Sequence, residues 1–119
     1  MKCLRFVLML FAASVCLSAC RSEPDNKLYA DQVYFFYQTA CPHCHHAQAY
    51  IDKNYPDLKM ISVNIADKNG FELFTKCAKK FKLGNRLGTP LFCMGDKYLM
   101  GWSPEYEATF DAYVKPFLK

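Results

Sequence analysis

Every position of Val33-Tyr34-Phe35-Phe36-Tyr37 is β-branched or aromatic, so a strand made from this run is apolar on both faces and is buried on both. The rest of the chain then has to supply layers on either side of a sheet. Residues 41–54 read as a helix, with Pro42 well placed in its first turn and Cys44, Ala47 and Ile51 along one stripe. Residues 59–65 alternate Met60, Ser62 and Asn64 against Ile61, Val63 and Ile65, the pattern of a second strand. Residues 70–81 place Phe74, Cys77, Ala78 and Phe81 on one helical face, and residues 84–89 form a loop. Residues 90–94 and 97–102 make a hairpin around Gly95-Asp96. Ser103-Pro104 then caps and opens a last helix, with Tyr106, Phe110, Val114 and Phe117 facing inward and Pro116 where that helix should fray.

The order is strand, helix, strand, helix, strand, strand, helix. A βαβ half followed by a ββα half makes an α/β protein with a four-stranded mixed sheet and helices on both faces. With 119 residues there is room for one domain, and a hydrophobic content of 52% is enough to offset chain entropy and exclude disorder. A net charge of +4 without any basic run speaks against a nucleic-acid partner.

Residues 1–19 read as an export signal rather than as fold. Lys2 and Arg5 form a positive start, residues 6–17 an apolar stretch, and small residues close the segment. That stretch is too short for a bilayer span, which needs roughly 20 residues. Leu17-Ser18-Ala19-Cys20 resembles the lipobox of bacterial lipoproteins, which implies cleavage before Cys20 and lipidation of its thiol. Residues 20–27 are then the lipidated cysteine and a polar tether, and residues 28–119 the folded domain.

Cys41-Pro42-His43-Cys44 stands after the apolar strand and at the start of a helix. The first-turn N–H groups and the helix dipole favour a thiolate on Cys41, and His43 adds to that stabilisation. Two intervening residues let Cys44 reach back and close a small disulfide. Cys41 is then the attacking sulfur, and the more deeply placed Cys44 the resolving one.

Residues 36–44, with Gly88-Thr89-Pro90 ahead of a strand far downstream, resemble the thioredoxin superfamily. The Cys-Pro-His-Cys tetrad is similar to that of the DsbA-like periplasmic oxidoreductases. The resemblance implies a minimal thioredoxin fold, a cis Thr89-Pro90 bond beside the active disulfide, and substrate docking along that edge. It implies no cofactor beyond the redox-active Cys41–Cys44 disulfide. Its partners would be envelope protein thiols and disulfides together with a redox partner protein. The expected setting is the periplasmic side of a bacterial membrane, with the protein a monomer anchored at Cys20.

Four positions depart from the family pattern. Phe35 stands six residues before Cys41, where many thioredoxins bury an acid, and Ala40 replaces the usual Trp. Met100-Gly101-Trp102 offers one glycine where glutaredoxins commonly have a pair. Thr89 before the proline looks more like isomerases and some reductases than like oxidases. The direction of electron flow stays open between oxidase, isomerase and reductase.

Two other classes compete with the redox reading. Cys41, Cys44 and a nearby His, with Met94 or Met100, could form a copper or zinc module. No second ligand pair at zinc spacing accompanies them, and adjacent His45 and His46 diverge by about 100° on a helix. A metal site is therefore not expected, and His45 and His46 read as exposed helix residues. A non-catalytic peptide-binding domain is the other alternative. Cys77 and Cys93 fall on apolar faces and read either as small core residues or, in an oxidising compartment, as a second disulfide between helix and strand.

Overall fold

The computed structural model describes residues 26–118. The expected signal segment, the lipidated Cys20 and most of the tether lie outside the described residues.

Strands β1 (Val33–Tyr37), β2 (Met60–Asn64), β3 (Leu91–Met94) and β4 (Lys97–Met100) alternate with helices α1 (Pro42–Asn54), α2 (Lys68–Lys80) and α3 (Pro104–Val114) in the expected order. They form one four-stranded sheet ordered β2-β1-β3-β4. β1 runs parallel to β2, with Val33 opposite Met60 and Tyr37 opposite Asn64. β3 is antiparallel to both β1 and β4. This is the mixed α/β sheet that the pattern of periods called for.

The two faces of β1 divide the core. Val33 and Phe35 pack into a cluster with Ala47 and Ile51 of α1, Phe92 of β3, and Phe110 and Val114 of α3. Tyr34 and Phe36 face the other way, into a cluster with Phe74 and Cys77 of α2, Leu91 and Cys93. Helices α1 and α3 therefore cover one face and α2 the other, which is what a strand apolar on both sides demands. Phe92 sits at the centre of the first cluster, with its ring 5.0 Å from Phe35 and 5.2 Å from Phe110. Burying side chains of this size contributes about 2–3 kcal/mol each.

Helix α2 begins two residues earlier than its apolar period suggested, at Lys68 with Asp67 as its N-cap. It approaches β2 so closely at Gly70 that a Cβ there would stand 2.2 Å from the Asn64 carbonyl oxygen. The approach covers the end of β2 near Val63 and leaves Ile61, further back on this edge strand, 39% exposed.

Other details depart from the sequence expectation. Ser103 occupies the N-cap position of α3, but its hydroxyl donates to the Glu105 carboxylate at 2.6 Å instead of capping the backbone. Tyr106 is exposed rather than inward: its ring lies over Gly101, where an added Cβ would stand 3.2 Å from it and where a φ of +96° disfavours any side chain. At Pro116 the last helix tightens into a 3₁₀ turn, Lys115–Phe117.

Asn26 and Lys27, assigned to the tether on composition, are held against the domain. The Asn26 side chain donates to Glu72, and Lys76 donates to the Asn26 carbonyl.

Candidate active site

Cys41 is the N-cap of α1. Its extended backbone (φ −124°, ψ 101°) turns the chain from β1 into the helix, and Pro42 supplies a first helical residue that has no N–H to satisfy. One first-turn N–H reaches the Cys41 sulfur, and the next closes the first helical hydrogen bond. Cys44 N–H donates to the Cys41 sulfur at 3.1 Å, and His45 N–H donates to the Cys41 carbonyl at 3.1 Å. Negative charge on that sulfur is thereby favoured.

Cys41 and Cys44 are joined as a disulfide across this turn, with Cα atoms 5.2 Å apart. Cys41 is 7% exposed and Cys44 3%. Both sulfurs are buried, Cys41 marginally less so.

The loop before β3 completes the site. The Thr89-Pro90 peptide bond is cis, Pro90 is fully buried, and the Pro90 carbonyl accepts from Gly101 N–H at 2.8 Å. This anchoring brings both Thr89 oxygens to Cys41: the hydroxyl lies 3.5 Å and the carbonyl 3.6 Å from the sulfur. The hydroxyl also reaches the Gln38 side-chain oxygen at 3.1 Å. It has one hydrogen to give. It therefore donates to Gln38 while Cys41 is oxidised, and can turn to the sulfur once a thiolate forms there.

His43 is exposed, with its ring edge-on to His46 at a centroid distance of 6.4 Å. His45 is exposed as expected, but it is also engaged: Nε2 meets the Thr39 carbonyl at 2.9 Å, pinning the loop that leads into Cys41. Neither that bond nor the Gln38–Thr89 bond had a signal in residue spacing, because both join segments through turn geometry. A cavity of about 270 Å³ lies beside Cys44, walled by Phe35 and Tyr37 of β1, Ser62 of β2, and His45. Among the described residues, no three His, Cys, Asp or Glu side chains gather as a metal-binding group.

Cys77 and Cys93 lie on the opposite face of the sheet. They are 0% and 2% exposed, and the structure joins them as a second disulfide with Cα atoms 6.4 Å apart. Of the two readings open from sequence, the bridge is the one present. It ties α2 to β3, the strand that follows the Thr89-Pro90 turn.

A four-stranded mixed sheet covered on both faces, with a Cys-x-x-Cys disulfide opening the first helix, defines a protein of the thioredoxin fold. Solved structures agree. The glutaredoxin from Archaeoglobus fulgidus superposes with a TM-score of 0.56 at 18% identity, over 81% of this chain and 98% of that one. The buckwheat glutaredoxin in its glutathione complex superposes with a TM-score of 0.51 at 16% identity, over 72% of this chain and 74% of that one. At such identities the likeness establishes the fold. No protein-family model and no curated protein matches the sequence.

Proposed function

We propose that this protein is a thiol–disulfide oxidoreductase of the bacterial cell envelope, anchored through a lipid on Cys20 and acting as a monomer on protein thiols and disulfides. The observation that carries the reading is the Cys41–Cys44 disulfide at the start of α1, with both Thr89 oxygens within 3.6 Å of the Cys41 sulfur. The glutaredoxin-like neighbours support the same chemistry.

In the reductive direction the Cys41 thiolate attacks a substrate disulfide, forming a mixed disulfide and releasing one substrate sulfur as a thiolate. Cys44 then attacks Cys41, the second substrate sulfur leaves, and two electrons have passed from the dithiol to the substrate. Oxidation of a substrate dithiol runs the same steps backwards. His43 assists the Cys41 thiolate, Pro42 shapes the turn, and Thr89-Pro90 forms the docking edge for an extended substrate. The disulfide is the redox group and no further cofactor takes part. Electrons are exchanged with a redox partner protein in the same compartment.

The test is the equilibrium reduction potential of Cys41–Cys44, titrated against glutathione with alkylation mapping. A value of about −120 to −180 mV makes the protein a disulfide donor or isomerase, and one of about −270 mV a reductant. Cys41→Ser abolishes turnover. A protein that forms no Cys41–Cys44 disulfide and carries stoichiometric metal, or one whose Cys41→Ser variant keeps full function as a peptide binder, overturns the proposal.

A further inference from the structure

A thiol attacks as its thiolate, so Cys44 must lose a proton before it can resolve a mixed disulfide. Cys44 is 3% exposed, and Phe35, packed beside it, offers no acceptor. The cavity next to Cys44 does. Its walls combine Phe35 and Tyr37 with Gln38, Gln48, Ser62 and His45. At about 270 Å³ it has room for a short chain of waters, each of which takes about 30 Å³ in the liquid.

The titratable groups on this cavity are Cys44, Tyr37 and His45; no Asp, Glu, Lys or Arg lines it. Along α1, the rings of His43 and His46 meet edge-on, and Asp52 is engaged by the Gln48 amide at 2.9 Å. The His45 tautomer follows from its partner. A carbonyl only accepts, so the nitrogen facing Thr39, Nε2, carries the hydrogen, and the neutral ring keeps its lone pair on Nδ1.

We propose that His45 takes the Cys44 proton, relayed by water in this cavity, when Cys44 resolves the mixed disulfide. The assignment rests on the redox reading above. The proton passes from the Cys44 sulfur to Nδ1, giving an imidazolium, and the thiolate attacks the Cys41 sulfur. The Cys41–Cys44 bond forms as the Cys41–substrate bond breaks, and the electron pair of that bond leaves on the substrate sulfur, which solvent protonates. In the opposite direction Cys44 departs as a thiolate and the imidazolium returns the proton.

The reduced protein is mixed with the chromogenic aromatic disulfide dithiobis(nitrobenzoate) in a stopped-flow instrument. Release of the first aromatic thiolate reports attack by Cys41, and release of the second reports resolution by Cys44. His45→Gln keeps an amide donor for the Thr39 carbonyl but no base. Near neutral pH it is expected to slow the second phase at least about a hundredfold, the lower end of the range of about 10²–10⁴ for a positioned base, while the first phase changes less than about twofold. The defect should fade at alkaline pH, where hydroxide takes the proton, and added imidazole should restore the second phase of His45→Ala. An unchanged second phase, equal slowing of both phases at every pH, or failure of imidazole to rescue overturns the assignment. Release of a single equivalent by the wild-type protein overturns the redox reading itself, and the assignment with it.

Discussion

Replacing both Cys77 and Cys93 by Ala tests how this small domain holds α2 to its sheet. The two residues are 16 apart in sequence. Closing a loop of that length removes about 10 cal/mol/K from the unfolded chain, or about 3 kcal/mol at 25 °C. Loss of two buried sulfurs adds about 1 kcal/mol of packing, since both positions are nearly inaccessible. The expected total is about 3–5 kcal/mol, out of the roughly 5–14 kcal/mol available to a domain of about 90 residues.

The same arithmetic for the three-residue separation of Cys41 and Cys44 gives about half as much. Urea unfolding followed by fluorescence of Trp102, the single tryptophan and itself buried, measures the loss. Cys41–Cys44 is kept oxidised throughout. The midpoint should fall and the m-value rise, because the uncrosslinked chain exposes more surface when it unfolds. A heat scan should show a drop of at least about 12 °C. A stability loss below about 1 kcal/mol with an unchanged m-value would refute the bridge as a structural clasp.

Two further outcomes follow from close packing and from half-buried tyrosines. Gly70→Ala should destabilise the domain by about 2–3 kcal/mol in thermal unfolding, because the overlap with the Asn64 carbonyl outweighs a helix-propensity gain of about 1 kcal/mol; a more stable variant would contradict the close approach of α2 to β2. Tyr50 and Tyr55 both donate to the Asp111 carboxylate, tying α1 and its C-terminal cap to α3, and both have pKa values raised above 10, chiefly by burial and then by that hydrogen bond. Because the folded state holds these protons more tightly than the unfolded one, their contribution is complete below about pH 10 and is lost as the pH rises toward the folded values. Stability measured across pH 8 to 12 should therefore decline above about pH 10, and the double variant Tyr50→Phe/Tyr55→Phe should flatten that decline; a slope unaltered by the substitutions would show that other groups cause it.

Local chemistry carried much of the architecture. A run such as 33–37 has one way to satisfy five large apolar side chains that alternate in direction, and the helices of period 3.6 that follow it supply the two covering layers. The strand–Cys-Pro-His-Cys–helix junction likewise located the helix start to within one residue, because a proline in the first turn marks the boundary; the structure makes Cys41 the N-cap rather than the first helical residue. Periodicity erred where the neighbour of a face, rather than the face itself, decided exposure. Tyr106 lies on the apolar period of α3 but past the edge of the sheet, over Gly101, and Ile61 belongs to the buried side of β2 where α2 does not reach.

The sequence by itself determined the order of elements, the two-sided sheet and the position of the Cys41–Cys44 pair, since each is read from patterns within a few residues along the chain. Tertiary structure alone decided that Cys77 pairs with Cys93 rather than standing as a free core residue, that the Thr89 hydroxyl is shared between Gln38 and Cys41, and that His45 and Cys44 share one cavity. Those meetings depend on strand order and on how closely each helix approaches the sheet. Such distances are sums over packing along the whole chain, and no spacing between residues encodes them.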